Sequence, residues 1–299
     1  MSGGSAPEVG VHSDGARPWL TIVTVVRNDP AALRRTVESV AQQDTSVTEH
    51  VIVDGASTDG TTEIARTAAA ASPWMRVHSA PDTGIYNAMN RGIGLARGQH
   101  VLFLNAGDDF TSANEVAAIH ADWLRVGYQW GRYRARFVDA DRAATRPLAS
   151  ADFAVADFLR GTVERYHQGA VMSRDMLQDL GGFDERYRIV ADFDLMCRAL
   201  LAGYRPWISE RIITDYDASG LSAVAWRESL WEEHLVRSRG AAPTAAWRSG
   251  GLLAWRTTQI AGKRTARRAA QRVLGSERVS RLRSRDLAPQ STANIRESK

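Results

Sequence analysis

Three short apolar segments, residues 20–26, 51–53 and 101–104, each end in a polar turn that carries aspartate and leads toward a helix. Apolar runs without alternating polar residues are typical of strands buried on both faces of a sheet. Repeated βα units form a parallel sheet, in which the carboxyl ends of the strands meet at one edge. The sequence therefore predicts an α/β fold with a mostly parallel central sheet and a ligand site at that edge.

Residue patterns also predict where the helices begin and end. Asp29 can cap the first helix and Pro30 can open it. Asp59 or Thr58 is expected to cap the second helix, and Gly98 is expected to close the third. Helical spacing predicts that the apolar faces of the first and third helices consist of Leu33, Val37, Val40, Ile85, Met89 and Ala96.

The turn after the third strand, residues 105–109, reads NAGDD. Its adjacent carboxylates, Asp108 and Asp109, lie where open α/β sheets bind ligands. Hard oxygen ligands suit Mg²⁺ or Mn²⁺, and either ion suits a diphosphate. An acidic turn can instead be a helix cap or a solvated loop. The matching turns after the other two strands favour the ligand site.

Length and composition indicate one large domain with an appendage. The chain has 299 residues, of which 44% are hydrophobic, enough for a proper core. Residues 1–17 are rich in Gly, Ser and Ala and are expected to be disordered, without the apolar centre of a signal peptide. The one cysteine, Cys197, cannot form an internal disulfide and indicates a reducing compartment. No run of about 18 apolar residues exists, so a cytoplasmic protein without a membrane span is expected.

The C-terminal part has a different charge balance from the rest of the chain. Residues 237–287 contain 13 Lys plus Arg but only 2 Asp plus Glu, whereas the whole chain has a net charge of +4. Basic residues beside Trp and Leu predict a helical extension, residues 226–299, that lies on an anionic membrane surface. The alternative is a charged helix that packs its tryptophans onto the α/β domain. Nucleic acid is not expected, because no nucleic-acid-binding module is recognisable.

The order of the motifs resembles a known family. The sequence is similar to the family-2 inverting glycosyltransferases of GT-A fold, in particular to those that build bacterial glycolipids and surface polysaccharides. The donor half of the resemblance rests on VVRN (25–28), IVDGASTDGT (52–61), PDTGIYNAMNRGI (81–93) and FLNAGDD (103–109). The acceptor half rests on HQGAVMSRD (167–175), GGFDERY (181–187) and ADFDL (191–195). The resemblance implies a Rossmann-like GT-A domain over residues 18–225, a nucleotide-sugar donor with a UDP-sugar favoured, and a saccharide or lipid-linked acceptor.

The resemblance also implies a pocket for the donor nucleotide. Asp54 matches the carboxylate that reads the base, and a carboxylate can accept a hydrogen bond from a base N–H group. Asp82 and Asn90 match positions on the base and ribose side. Ordinary turn and helix-surface polarity is the alternative for all three. The full predicted donor set is Val26, Asn28, Asp54, Ser57, Asp82, Asn90 and Arg91.

The metal motif departs from the family's commoner Asp-x-Asp-Asp. Asn105 and Gly107 stand at the first two acidic positions, and Asp108 matches the third. One carboxylate can hold Mg²⁺ or Mn²⁺ when phosphate oxygens and water complete the shell. Asp108 is therefore the first predicted metal ligand, and Asp109 is the second.

Asp192 matches the catalytic base of the family. Phe193, Met196 and Leu200 predict a helix that begins near Ala191, so Asp192 lies in the first turn, where the helix dipole favours the ionised form. A base that deprotonates an acceptor hydroxyl must be ionised. Asp192 is equally a good helix-starting residue. Residues implied on the acceptor or diphosphate side are His167, Gln168, Asp194, Ser219 and Gly220, the last as the hinge of a loop over the donor.

Two other classes stay open from the sequence. A nucleotidyltransferase is expected to have a glycine-rich phosphate loop after the first strand, and residues 25–35, VVRNDPAALRR, contain no glycine. A binding scaffold that has lost its chemistry is compatible with the absent carboxylates at Asn105 and Gly107.

Overall fold

The parallel half of the sheet comes from the first hundred residues. The computed structural model describes residues 17–138, 144–147, 158, 166–217, 225–239 and 258. Strands β1 (Leu20–Val26), β2 (Thr48–Asp54), β3 (Met75–Ser79) and β4 (His100–Phe103) alternate with helices α1 (Pro30–Ala41), α2 (Thr61–Ala71) and α3 (Ile85–Leu95). The strands pair in the order β3-β2-β1-β4, and every pairing among them is parallel. The predicted α/β class and repeated βα units are confirmed.

The second half of the chain extends the same sheet, mainly by antiparallel pairing. Its elements are β5 (Asp109–Phe110), α4 (Glu115–Val126), β6 (Trp130–Val138), β7 (Ala144–Pro147), β8 (Ala170–Ser173), α5 (Arg174–Asp179), α6 (Ala191–Leu201), β9 (Trp207–Asp217) and α7 (Trp226–Ser238). Strand β8 pairs antiparallel to β4, and the order continues as β8-β6-β9-β5, with β7 beside β6. The parallel β6–β9 pairing is the exception in this half.

Both faces of the central strands are covered by helices, which explains their uninterrupted apolar runs. All seven residues of β1 are buried. Val23 and Val25 belong to the cluster that contains Met89 of α3 and Phe193 of α6. On the opposite face, Ile52 of β2 packs with residues of α1 and α2. Helix α7 adds Val236 to the first cluster, so this helix packs on the α/β domain.

The start of α1 agrees with the prediction, but the start of α2 does not. Asp29 caps α1, with Oδ1 accepting a hydrogen bond of 2.9 Å from the Ala32 amide, and Pro30 opens it. The N-cap of α2 is Gly60, at φ +91°. Asp59 still accepts from the Thr61 amide at 3.2 Å, one residue before the cap position. The prediction of Asp59 or Thr58 as the cap was therefore wrong.

The predicted end of α3 was also wrong. The helix ends at Leu95, and Gly98 lies beyond it. A Cβ at Gly98 would lie 2.6 Å from the Thr21 backbone nitrogen, so glycine permits a close approach of two chain segments there. Ile85, predicted on the apolar face, is 41% exposed, because it is the first residue of the helix.

The chain divides into two compact units, residues 1–239 and 240–299. Several predicted features lie outside the described residues: the tail 1–16, Ser219 and Gly220, and the basic segment 240–299 apart from Thr258. Within the described ranges, none of the helices combines the length and the apolar character that a bilayer crossing requires.

Candidate active site

Asp54 is the centre of a hydrogen-bond network at the end of β2. It is fully buried, and its carboxylate accepts hydrogen bonds from the hydroxyls of Ser57, Thr62 and Ser79. Burial raises the pKa of Asp54, but these donors outweigh it and the net pKa is lowered, so the carboxylate is ionised. The predicted base-reading carboxylate is thus held rigidly, with its oxygens already occupied by protein donors.

Asn28 connects the turn after β1 to the turn after β2. Its backbone is left-handed, at φ +53°. Its amide donates to Ser57 Oγ at 2.8 Å, and its side-chain Oδ1 accepts from the Thr58 amide at 2.9 Å. The Gly55 amide bonds to the Val26 carbonyl at 2.9 Å, which ties the same two turns together. The predicted donor residues Val26, Asn28, Asp54 and Ser57 therefore form one cluster.

Asp82 lies beside this cluster. Its carboxylate accepts from the Gly84 amide at 3.0 Å. A Cβ at Gly55 would clash with Asp82, so a glycine at that position gives Asp82 room to approach. Arg91, from α3, donates to the Ala80 carbonyl at 3.2 Å and supports the loop that carries Asp82.

Asn90 makes a different set of contacts from the one predicted. Its side-chain amide donates to the Phe183 carbonyl and to Glu185, and its oxygen accepts from the Phe183 amide at 2.8 Å. Asn90 therefore joins α3 to the segment before α6. A direct contact with the donor ribose stays a prediction.

The NAGDD turn is fixed between β1 and α1. Thr36 Oγ1 donates to the Asp108 carbonyl at 2.8 Å and accepts from the Gly107 amide at 3.0 Å. Gly107 has φ +99°, a conformation that favours glycine over aspartate. The departure from Asp-x-Asp-Asp at this position therefore has a backbone reason. Asp108 is largely buried, and Asp109 begins β5.

A hydrogen-bonded chain joins this turn to Asp192. Asn105 Nδ2 lies 3.1 Å from His167 Nε2, and His167 Nδ1 lies 3.2 Å from Asp192 Oδ2. Since the Asn105 amide nitrogen donates to Nε2, the proton of a neutral His167 is on Nδ1 and points at Asp192. The side chains of His167 and Asp192 are 11% and 16% exposed. Residues from the turn after β4, from the segment before β8 and from α6 therefore meet at one place.

Asp192 lies in the first turn of α6, as predicted. Its Oδ1 accepts from the Phe193 amide at 2.8 Å. Tyr86 of α3 contacts the same oxygen at 3.4 Å and donates more closely, at 2.6 Å, to the Ile189 carbonyl. Burial and the charge of Asp192 raise the pKa of Tyr86 well above its usual value, so Tyr86 is a neutral donor.

Asp194 and Gln168 have separate surroundings. Asp194 is almost fully buried and pairs with Arg198 at 2.7 Å and with Arg239 at 3.4 Å. Asp194 lies two residues after Asp192 and therefore on the other side of α6, where these ion pairs hold it. A contact with the acceptor or the diphosphate stays a prediction. Gln168 is largely buried in the tight turn between His167 and β8.

The residues of the NAGDD turn fit a divalent cation. Among the described residues no group of three or more His, Cys, Asp or Glu side chains could hold a metal ion. Mg²⁺ and Mn²⁺ sites that include a substrate diphosphate use only one or two protein carboxylates. Asp108 and Asp109 are the two carboxylates at this turn. Asn105 Oδ1 is buried without a hydrogen-bond partner in the described part of the chain, and it is a further oxygen of the right kind.

Two residues around Asp192 were not found from the sequence. Tyr86 lies in a quoted motif, and a buried position on a helix is the signal that a tyrosine hydroxyl has a specific partner. Glu232 of α7 accepts hydrogen bonds from the backbone just before α6. Nothing in the charged sequence around Glu232 distinguishes it from its neighbours.

The sequence is similar to those of known proteins. A sequence profile described as "Glycosyl transferase family 2" matches residues 21–181, more than half of the chain. An uncharacterized glycosyltransferase of Mycobacterium tuberculosis is 31% identical over 69% of this chain and 78% of its own length. A PGL/p-HBAD biosynthesis glycosyltransferase of Mycobacterium bovis is also 31% identical, over 61% of this chain and 70% of its own.

Solved structures share the fold. S. aureus TarS has a TM-score of 0.59 at 15% identity over 78% of this chain, which spans only 42% of the full TarS chain. A shortened TarS has been solved with UDP-GlcNAc. The mannosyltransferase PcManGT from Pyrobaculum calidifontis, solved with GDP-Man and Mn²⁺, has a TM-score of 0.56 at 18% identity over 91% of this chain and 87% of its own. From its fold, its family profile and these relatives, the chain belongs to glycosyl transferase family 2.

Proposed function

We propose that the protein transfers a sugar from a nucleotide-sugar to a saccharide or lipid-linked acceptor in one inverting displacement. The acceptor hydroxyl oxygen bonds to the anomeric carbon, its proton goes to Asp192, and the nucleoside diphosphate leaves with the bonding electron pair. The observation that supports this most is the chain Asn105–His167–Asp192. It connects the turn suited to a diphosphate with a carboxylate suited to take a proton.

Asp192 is favoured as the base by its surroundings. It lies in the first turn of α6, at the positive end of the helix dipole. His167 and the Phe193 amide donate to its two oxygens and fix its orientation. A base held in this way needs no reorganisation when the acceptor hydroxyl arrives, and a positioned base typically contributes about 10²–10⁴-fold to the rate.

Asp108, Asp109 and Asn105 are the residues that would hold Mg²⁺ or Mn²⁺. A bound divalent cation acts there as a Lewis acid that stabilises negative charge on the departing diphosphate. The chain's own contribution is to fix the turn, which Thr36 does through its bonds to Gly107 and Asp108.

The donor base is proposed to bind against the cluster of Asn28, Asp54, Ser57 and Asp82. Ser57 already donates to Asp54. Asp54 therefore contributes to base binding in two ways, by its negative charge and by holding Ser57 and its neighbours in place. TarS has been solved with UDP-GlcNAc and PcManGT with GDP-Man. A UDP-sugar is the donor proposed for this chain, and a GDP-sugar is the alternative that a binding screen must include.

The acceptor is proposed to be linked to lipid. The M. bovis relative is described as acting in PGL/p-HBAD biosynthesis. Residues 237–287 of this chain carry 13 Lys plus Arg against 2 Asp plus Glu. A basic segment of this kind binds anionic lipid peripherally and raises the concentration of the enzyme beside a lipid-linked acceptor.

The donor is identified by thermal unfolding with UDP, GDP, their sugars and Mn²⁺, since a ligand that binds only the folded state raises the melting temperature. Calorimetry of the best nucleotide then compares Asp108→Ala with Asp109→Ala. We expect Mn²⁺-supported binding to be lost in Asp108→Ala, with unfolding unchanged. Loss in Asp109→Ala alone would move the metal assignment by one residue. A chain that binds a nucleotide-sugar but neither transfers nor hydrolyses it would be a scaffold.

A further inference from the structure

The carboxylate of Glu232 accepts hydrogen bonds from three consecutive backbone amides. Oε1 accepts from Arg188 at 2.9 Å, and Oε2 accepts from Ile189 at 2.9 Å and from Val190 at 3.1 Å. Successive backbone N–H groups that converge in this way form an anion-binding concavity, and charge-assisted bonds are stronger than neutral ones. The carboxylate that occupies this concavity belongs to α7, more than forty residues further along the chain.

The three amides lie directly before the proposed base. Val190 is the N-cap residue of α6, and Asp192 follows two residues later. The Ile189 carbonyl accepts from the Tyr86 hydroxyl at 2.6 Å. Residue 189 is therefore held by its amide from α7 and by its carbonyl from α3, so both neighbouring helices fix where α6 begins.

Helix α7 is itself anchored firmly enough to act as a support. Val236 is buried in the core shared with α6. The Arg237 guanidinium lies 5.3 Å from the ring centroid of Phe193, next to Asp192. Arg239 pairs with Asp184 at 2.8 Å and lies 4.8 Å from the ring centroid of Tyr187. These contacts hold α7 against both α6 and the segment that precedes it.

We propose that Glu232 is a positioning residue for sugar transfer, acting by fixing residues 188–190 and with them the placement of Asp192. The proposal rests on the role of Asp192 as the base. A misplacement of a catalytic group by about 1 Å can reduce a rate by about 10²-fold. The role assigned to Glu232 is thus to hold the backbone before Asp192, and it needs no contact between Glu232 and the substrate.

The test compares Glu232→Ala and Glu232→Gln with Glu228→Gln, a matched control one turn earlier on α7. Glu228 is exposed and lies 3.8 Å from Arg188. We expect kcat to fall by about 10–100-fold in Glu232→Ala. Glu232→Gln retains one acceptor oxygen, so its kcat is expected to lie between that of Glu232→Ala and that of the natural chain. Glu228→Gln should match the natural chain, and the Kd for the donor nucleotide should stay within about twofold in every variant whose thermal unfolding is cooperative.

A second comparison separates positioning from a general loss of structure. In an Asp192→Asn background, Glu232→Ala should reduce the residual rate no further, because residues that act through one another are not additive. The positioning role would be overturned if Glu232→Ala reduced kcat by the same factor in the Asp192→Asn background as in the natural chain. It would also be overturned if Glu232→Ala weakened nucleotide affinity as much as it lowered kcat. A normal kcat in Glu232→Ala, when Asp192→Asn is inactive, would overturn it as well. If Asp192→Asn itself turns over normally, the proposed base is wrong instead. Should Glu232→Ala fail to fold, Glu232→Gln decides between the same outcomes.

Discussion

Ala56 has a left-handed backbone, at φ +57°, in the turn between Asp54 and Ser57. A non-glycine residue in this conformation is strained by roughly 1–2 kcal/mol, whereas glycine adopts it freely but loses more conformational entropy on folding. We expect Ala56→Gly to be neutral or to raise the free energy of unfolding by up to about 1 kcal/mol, as measured by urea unfolding. Ala121→Gly, at an exposed mid-helix position of α4, should lower it by about 1 kcal/mol. Equal losses in both variants would contradict the conformational argument.

Motif order in the sequence predicted which residues belong to the candidate site, but not which residues they contact. Asp192 and His167 were both singled out, yet their separation of 3.2 Å depends on how β8 and α6 pack. Asn90 was predicted on the donor side because it matches a position of the family's motif. In the structure its amide bonds to the Phe183 carbonyl, more than ninety residues away, a pairing that no local pattern encodes.

At the scale of the element, α3 contains two glycines with opposite surroundings. A Cβ at Gly92 would clash with Val23 of β1, whereas a Cβ at Gly94 would meet nothing within 4 Å. We expect Gly92→Ala to lower the free energy of unfolding by about 1–3 kcal/mol, because it overpacks the helix–sheet contact. Gly94→Ala should raise it by up to about 1 kcal/mol through helix propensity. Chemical unfolding of both variants measures this, and destabilisation by Gly94→Ala would contradict it.

Local sequence patterns predicted the elements themselves better than their ends. An uninterrupted apolar run predicted β1, and helical spacing predicted a helix that begins near Ala191. The end of α3 was missed, since Gly98 reads as a helix terminator in the sequence. Its actual role, a close approach to Thr21, is a tertiary contact. Strands β6 and β9 depend on long-range pairing and were not predicted individually.

For the whole molecule, two buried histidines make stability depend on pH. Burial lowers the pKa of His50 to about 3 and that of His100 to about 4. In the unfolded chain both histidines take up a proton near the ordinary histidine pKa of about 6.5. Between these values the unfolded state binds more protons. This contribution to the free energy of unfolding is therefore full above about pH 6.5 and is lost progressively as the pH falls toward the folded-state pKa values of about 4 and 3. Urea midpoints from pH 7.5 to 4.5 should decline. His50→Gln should make the urea midpoint decline less steeply with falling pH. His78→Gln, at an exposed strand position, should leave the decline unchanged. A urea midpoint that does not vary with pH would contradict the assignment of this dependence to the two buried histidines.

Binding to an anionic membrane is predicted to depend on the basic segment after Arg239. Arg237 and Arg239 contact α6 and its preceding segment, so a truncation must leave them in place. Residues 240–299 still contain 13 Lys plus Arg against 3 Asp plus Glu. We expect the full chain to co-sediment with anionic vesicles, less so at high salt, and a chain ending at Arg239 to lose this binding while keeping its unfolding transition. Equal binding of both forms, or no preference for anionic over neutral vesicles, would contradict the proposed membrane contact.

Whether Asp192 takes the acceptor proton is tested by the transfer rate of Asp192→Asn at saturating donor. Asparagine keeps the size and one acceptor oxygen but does not take a proton. We predict a fall in kcat of about 10²–10⁴-fold, with unchanged nucleotide affinity in calorimetry. A variant that turns over at a near-normal rate would contradict the claim and leave His167 as the base to be tested.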